Sequence, residues 1–291
     1  MIDAKVIEDS IGPNGKRIVT FVLTYPRFIH SEVMTHRSLS RNASSSRAIP
    51  VKKQIVNVLK HMAIPIHVGA NKKGMQASKE VSVIKKRIAL IAWKILGYIA
   101  CLFAFLLDKL GVHKQVANRV IEPWSHISVV VTATELNNFF SLRYHKDAQP
   151  EFYELAKKMY DVISKSIPNR LKPGDWHLPF VTADDLLEAE RTSFLERGDN
   201  SGVLFMLLKI SAARCARVSY LNHDNKFPTV KEDIDLYERL AYHKPMHASP
   251  LEHQACATLD PTFKSGNFIG WIQHRKMLFN ENVDYFEEPS T

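Results

Sequence analysis

The sequence has no Gly-x-Gly-x-x-Gly run, no Walker loop and no His-Glu-x-x-His, so the common dinucleotide, nucleoside-triphosphate and zinc-protease signatures are missing. Nor does it hold a Gly-x-Ser-x-Gly, the nucleophile elbow of many hydrolases. Any phosphate binding must therefore come from side chains. Only three cysteines are present, Cys101, Cys215 and Cys256, far apart and without a Cys-x-x-Cys. That spacing suggests neither a zinc ribbon nor a redox pair, and a reducing cytoplasm is the simplest setting. The opening residues, MIDAKVIEDS, carry acids and no apolar stretch, so they do not resemble a secretory signal.

Basic charge and apolar bulk are what the chain does have. Lys and Arg number 39 against 30 Asp and Glu, a formal net charge of +9. Such a balance favours anionic partners: nucleotide or cofactor phosphates, polyglutamate tails, nucleic acid or a membrane surface. With 45% hydrophobic residues in 291, the chain can bury a core as one large domain or two small ones. Ile88 to Leu107, IALIAWKILGYIACLFAFLL, is long enough to span a bilayer and follows a basic KKR flank. Lys94 interrupts it and no second span follows, so a buried bundle helix is the expectation and a membrane helix the alternative.

KRIVTFVLTY alternates as a strand, and a helical pattern runs from Pro26 through RFIHSEVMTHR. The serine-rich THRSLSRNASSSRAIP reads as a loop, because Ser and Asn compete for backbone hydrogen bonds. VKKQIVNVLKHM is an amphipathic helix, and a helical block covers about 81 to 121 with a break near Gly111. HISVVVTATE is a strand, and LNNFFSLR and QPEFYELAKKMYDVISKSI are helices. Three prolines and a glycine in PNRLKPGDWHLPFVTADD mark an internal boundary. The organisation expected is a first part over 1–166, a connector over 167–204 and a second part over 205–291. Helices in KISAARCARVSY and KEDIDLYERLAYHK, and a strand at HQACATLD, make the whole α+β.

Several segments carry candidate chemistry. His36, Arg37, Arg41 and Arg47 surround a serine run, where guanidinium forks and hydroxyls suit phosphate oxygens; a solvated basic loop is the plainer reading. Lys114, Asn118 and Arg119 lie close on a helix, although Arg119 could equally pair with Glu122. Asn138, Leu142 and Arg143 share a helical face that suits a planar polar ring, or a surface ion pair. His243, His247 and His253 straddle Pro245 and Pro250, which prevents a helical His-x-x-x-His, so no metal is expected.

Together these segments resemble the flavin-dependent thymidylate synthases. That family's signature is Arg-His-Arg, seven residues, then Ser; here Thr35-His36-Arg37 precedes Ser45 at that spacing, with Arg47 two further on and Thr35 in place of the first Arg. GVHKQVANRVIEP and NNFFSLRYHKDAQPE resemble two further family segments. The N-terminal family segment is matched late, by CARVSY at Cys215 to Tyr220 and by ASPLEH. The resemblance therefore implies a mixed sheet with long helices built from two related halves in permuted order. A second His-Arg segment, GWIQHRKMLFNENVDYF, aligns His274 on His36, Asn280 on Asn42, Glu281 on Ala43, Val283 on Ser45 and Tyr285 on Arg47.

The resemblance implies methylation of dUMP to dTMP by a methyltransferase using FAD, NADPH and methylenetetrahydrofolate. Ser45 and Arg143 would be its catalytic residues, with Ser45 no covalent nucleophile because no partnered base is evident. Ser45, Arg47, Arg119, Leu142, Arg143 and Glu32 would hold the substrate. His36, Arg37, Asn42, Asn138, Ser219, His253, His274, Arg275 and Glu281 would hold the cofactor, Glu281 supplying what Ala43 cannot; a packing relic is the alternative for that second copy. A homo-oligomer, dimer or tetramer, is implied, with neither nucleic acid nor membrane as partner. The rivals are a C5 methylase or hydroxymethylase for another pyrimidine nucleotide, and a non-catalytic nucleotide-binding homologue.

Overall fold

The computed structural model describes residues 1–74, 79–219 and 228–282. Strands β1 (Asp3–Ile11) and β2 (Arg17–Pro26) form an antiparallel hairpin. β3 (Ser40–Ala43), β4 (His126–Ala133) and β5 (Asn169–Arg170) complete a sheet of order β3-β4-β2-β1-β5, in which only the β1–β5 pair is parallel. β1 is not evident in the sequence because acids punctuate it. Asp9 is buried all the same, since its carboxylate accepts hydrogen bonds from Arg17 Nε at 2.8 Å and Nη2 at 2.6 Å.

The helices are α1 (His30–Val33), α2 (Val51–Lys60), α3 (Val83–Lys109), α4 (Lys114–Ala117), α5 (Asn137–Arg143) and α6 (Pro150–Lys165). Beyond them come α7 (Ala183–Arg197), α8 (Val203–Ala216) and α9 (Val230–Ala241). With helices and a mainly antiparallel sheet the architecture is α+β, as the pattern implied.

The sheet is covered on both faces. Phe21, Leu23, Val129 and Val131 pack against Phe152, Leu155, Ala156 and Met159, which recur on α6 at the spacing of one helical stripe. On the other face Val130 meets Cys215 and Val218 at the end of α8. Strand alternation thus divides β2 and β4 between two cores.

Residues expected to connect the halves carry structure of their own. They include β5, β6 (Trp176–His177) and α7. β6 pairs with β7 (Ala255–Ala257), which pairs with a strand over Trp271–Gln273. α7 opens on a capping box between Thr182 and Asp185 and ends at Gly198, whose φ of 76° requires glycine.

Three expectations need correction. The serine-rich stretch is not wholly loop, since Ser40–Ala43 pairs with Thr132–Val129. RFIHSEVMTHR is not one helix but a 3-10 turn followed by the single turn α1. The apolar helix α3 is not buried: only 22% of its most apolar window is covered, although length and composition would let it cross a membrane. α2, α4 and the 3-10 turn Asn118–Trp124 lie beneath it, so Gly97, Ala100, Cys101 and Ala104 face inward, Trp93 and Leu107 are half-buried, and most of the other side chains stay exposed. Gly97 is what allows that seating, for a Cβ there would come within 2.7 Å of Met62 Cε and 2.8 Å of Trp124 Cδ1.

Candidate nucleotide site

Two clusters form around the first His-Arg segment. At the end of α5, Arg143 Nε donates to His36 Nε2 at 2.8 Å. The acceptor role fixes His36 as neutral with its proton on Nδ1. Burial, then the charges of Arg143 and Arg41, hold its pKa below the usual histidine range. Phe139 and Phe152 set the geometry: His36 meets their rings edge-on at centroid distances of 5.0 and 5.6 Å, and the Arg143 guanidinium lies 4.7 Å over Phe152. Glu32 stands near Arg143, its carboxyl raised by burial and pulled back by that charge. The two Nη groups of Arg143 make no hydrogen bond among the described residues. Asn138 and Leu142 are exposed on the same short helix.

The second cluster lies beyond β3. Ser45 Oγ accepts the Arg47 N–H at 3.3 Å, and Ser46 Oγ donates to Glu122 Oε1 at 2.6 Å. Buried Asn118 donates from Nδ2 to the carbonyls of Ser46 at 2.7 Å and Ile49 at 2.9 Å, tying the serine turn to the segment after α4. In consequence Arg47 and Arg119, distant in sequence, line one surface recess with Gln115 and Val116. Glu122 orients the cations, 3.4 Å from Arg119 Nη1 and 3.3 Å from Arg27 Nη2. Two guanidinium forks on one recess suit a phosphate. No hydrogen bond or ion pair among the described residues links this recess directly to Arg143 and His36. Arg37 is exposed.

The residues assigned to the flavin are placed differently. Asn42 is a joint, donating from Nδ2 to Cys215 O at 2.8 Å and accepting from Ser249 Oγ at 2.9 Å. His253 is wholly buried at the end of a polar chain. Its Nδ1 lies 2.8 Å from Thr132 Oγ1, which is 2.7 Å from Thr20 Oγ1, and that oxygen is 2.8 Å from His177 Nε2. Ser10 Oγ closes the chain 2.9 Å from His177 Nδ1. Burial holds both imidazoles down to about 3. A side chain enclosed in this way has no face for a ligand, although His253 Nε2 has no partner among the described residues.

The second His-Arg segment also turns inward. His274 is buried against Tyr237, Nε2 to hydroxyl 3.1 Å, and burial lowers it to about 4. Arg275 Nη1 meets Glu252 Oε1 at 2.5 Å and its Nε lies 3.6 Å from Glu281, whose two oxygens each accept from Lys276 Nζ at 2.9 Å. Gln273 Nε2 donates to Ser40 Oγ at 3.1 Å, so the two copies touch. Glu281 therefore closes its own segment, which favours a packing role. Ser219 ends a 3-10 turn, with its side chain outside the described residues, as are Val283 and Tyr285. Within one chain, then, those residues assigned to FAD whose side chains are described do not assemble a flavin cradle. Nor do three His, Cys, Asp or Glu gather for a metal among the described residues.

His177 and Arg214 carry no flag in the sequence. One is a lone histidine in a proline-rich stretch, and the other lies in a helix beside Cys215. Arg214 forms a buried network, Nη2 to Asp185 Oδ1 at 2.6 Å and Nε to Asp233 Oδ2 at 2.9 Å, with Arg217 3.1 Å from Asp233 Oδ1.

The family model Thy1, described as thymidylate synthase complementing protein, matches residues 17–169. Among solved structures the chain is similar to a UMP/dUMP methylase, PolB, from Streptomyces cacaoi. The structure bound with 5-Br UMP shares 17% identity, covering 57% of this chain and 89% of that one at a TM-score of 0.47. The structure bound with 5-Br dUMP shares 19%, covering 51% and 67% at a TM-score of 0.42. No curated protein matches the chain.

Proposed function

This chain belongs to the Thy1 family of thymidylate synthase complementing proteins, and on that premise we propose that it is a pyrimidine-nucleotide methyltransferase acting at C5 of dUMP. The observation that carries the reading is the joint lining of one recess by Arg47 and Arg119. There they hold the nucleotide phosphate through charge-assisted hydrogen bonds, with Ser45 fixing the turn that presents Arg47. Arg143, braced by His36 and Phe152, offers its Nη groups to the uracil edge. Its fixed positive charge stabilises the negative charge that develops at N3 and O2 as C5 becomes nucleophilic. Leu142, Asn138 and Glu32 flank that edge.

The finer reading, reductive methylation with methylenetetrahydrofolate as carbon donor and NADPH reducing FAD, rests on the family alone. Asn42, His253, His274, Arg275 and Glu281 are engaged within the chain, so no step is assigned through the flavin. The same engagement favours one second reading, a nucleotide-binding homologue without catalysis.

Both readings are tested by titrating purified protein with dUMP, UMP and deoxyuridine. Assay with NADPH and methylenetetrahydrofolate follows, with products identified by mass. A product one methyl heavier than dUMP supports the first reading. Binding without turnover, in protein that shows no flavin absorption, supports the second. Failure to bind either nucleotide overturns both.

A further inference from the structure

The positive charge of the chain is concentrated in one segment. Residues 47 to 119 hold fourteen Lys and Arg against two acids, Glu80 and Asp108, while the remainder holds 25 against 28. That segment contains α2, α3 and α4, which share a core through Val51, Val58, Ala100, Ala104 and Ala117. The basic excess and the exposed apolar helix therefore belong to one packed unit.

α3 turns its apolar side outward. Gly97, Ala100, Cys101 and Ala104 are sealed against the protein, and the helical repeat puts Ile88, Ile91, Ile95, Ile99, Leu102 and Leu106 on the opposite side. Between Ile84 and Leu106 eleven large apolar side chains are 40% to 73% exposed. Half of ~200 Å² for each gives on the order of 1,000 Å², above the ~300–600 Å² of the largest patch on a typical monomer. Cations frame this face. Lys85 and Arg87 stand exposed at one end and Lys109 at the other, none of them in an ion pair among the described residues. Lys86 is instead held 2.5 Å from Glu80. Lys94 alone carries charge between Ile88 and Leu107; it is exposed at the margin, where its stem can lie on apolar surface while its head reaches polar groups.

We propose that α3 rests its outer face on an anionic lipid surface, lying in the boundary between headgroups and acyl chains without spanning it. An apolar helix face framed by lysine and arginine suits that boundary: acyl chains accept the isoleucines and leucines, and headgroup charges meet the cations. Spanning would require pulling the inner face of α3 from Met62, Ile121 and Trp124. A second copy of the chain fits the same face less well. Both ends of the helix are basic, so parallel and antiparallel pairing alike set cation against cation, within a segment whose net charge is +12. The same charges attract an anionic surface. The family resemblance implies no membrane partner, so the contact belongs to this chain's own helix, and it does not depend on what the Arg47–Arg119 recess binds.

Flotation of the full chain with vesicles tests the contact. Phosphatidylcholine vesicles containing about 30% phosphatidylserine should bind it about 10-fold or more tightly than phosphatidylcholine alone, and less so in high salt. Ile91→Glu/Ile95→Glu should abolish the binding. Because that variant could also disturb the helix, Lys85→Gln/Arg87→Gln is the second test; it changes only exposed charges and should weaken binding about 30-fold. A solvent-sensitive fluorophore on Ile95→Cys should shift to the blue with the anionic vesicles, and one on Asp161→Cys of α6 should not. No flotation with anionic vesicles, or flotation that either double variant leaves as tight as the wild type, overturns the proposal. So does salt-sensitive flotation without the blue shift at Ile95→Cys, which would leave the charges acting alone. A blue shift that follows protein concentration in the absence of vesicles overturns it too, and would assign the face to a second copy.

Discussion

Arg143 donates its Nε–H to Nε2 of His36 across 2.8 Å, and both rest on one phenylalanine, Phe152, the guanidinium over its face and the imidazole edge-on to it. The bond ties the end of α5 to the segment after α1 and requires a neutral imidazole. Removing the guanidinium in Arg143→Ala should raise the His36 pKa towards its ordinary value, because that charge is among the causes that depress it. Imidazole chemical shifts followed against pH would read the change, and an unmoved titration would show that burial alone sets it. If Arg143 stabilises charge on the uracil, the same variant should lose about 10²–10³-fold in turnover.

Arg47→Ala and Arg119→Ala should each weaken dUMP binding by about 10- to 100-fold, the size of one lost hydrogen bond to a charged group. Deoxyuridine, which lacks the phosphate, should bind both variants and the wild type alike. A variant that lost both ligands equally would show that the recess holds the base instead.

Acid should unfold the protein early. His177 and His253 are held near 3 in the fold against 6.5 when free, so the unfolded chain binds more protons between those values. Stability is then complete above 6.5 and falls as the pH drops through the window towards 3. At pH 5 the loss is about 2 kcal/mol for each imidazole. Urea denaturation at pH 7 and pH 5 would measure it, and replacing His177 with Gln should remove about half of the difference, the part of His253 remaining.

Asp233→Ala should destabilise the chain by about 3–5 kcal/mol, since Arg214 and Arg217 would lose a buried carboxylate that both contact. Thermal unfolding followed by circular dichroism would show it. Lys276→Ala, which breaks an exposed pair with Glu281, should cost under about 1 kcal/mol.

Periodicity made much of this fold legible. β2, β4 and α6 follow their apolar spacing because each packs one face on a core, and the break at Gly111 falls where its φ of 77° requires glycine. β1 was hidden because its buried acid is neutralised by an arginine from the next strand, a pairing that no local pattern records. α3 misled in another way: apolar composition says that a helix will be covered, not by what. In the candidate site, Arg47 and Arg119 were brought together in the sequence by the family resemblance alone, and in the fold both line one recess. The burial of His253 and His274 was not, because a histidine that caps a hydrogen-bond chain and one that meets a ligand read alike in sequence.

The polar chain from Ser10 through His177 to His253 bears on where the chain can be cut. The family match stops at residue 169, yet the imidazole that satisfies Thr20, in the middle of the matched sheet, is contributed from residue 177. A fragment ended at the edge of the match would keep every motif of the first half. It would also leave two threonine hydroxyls and the Val130 face of the sheet without their cover, and it would be expected to aggregate. Recognisable ancestry and foldable unit have different boundaries in this protein.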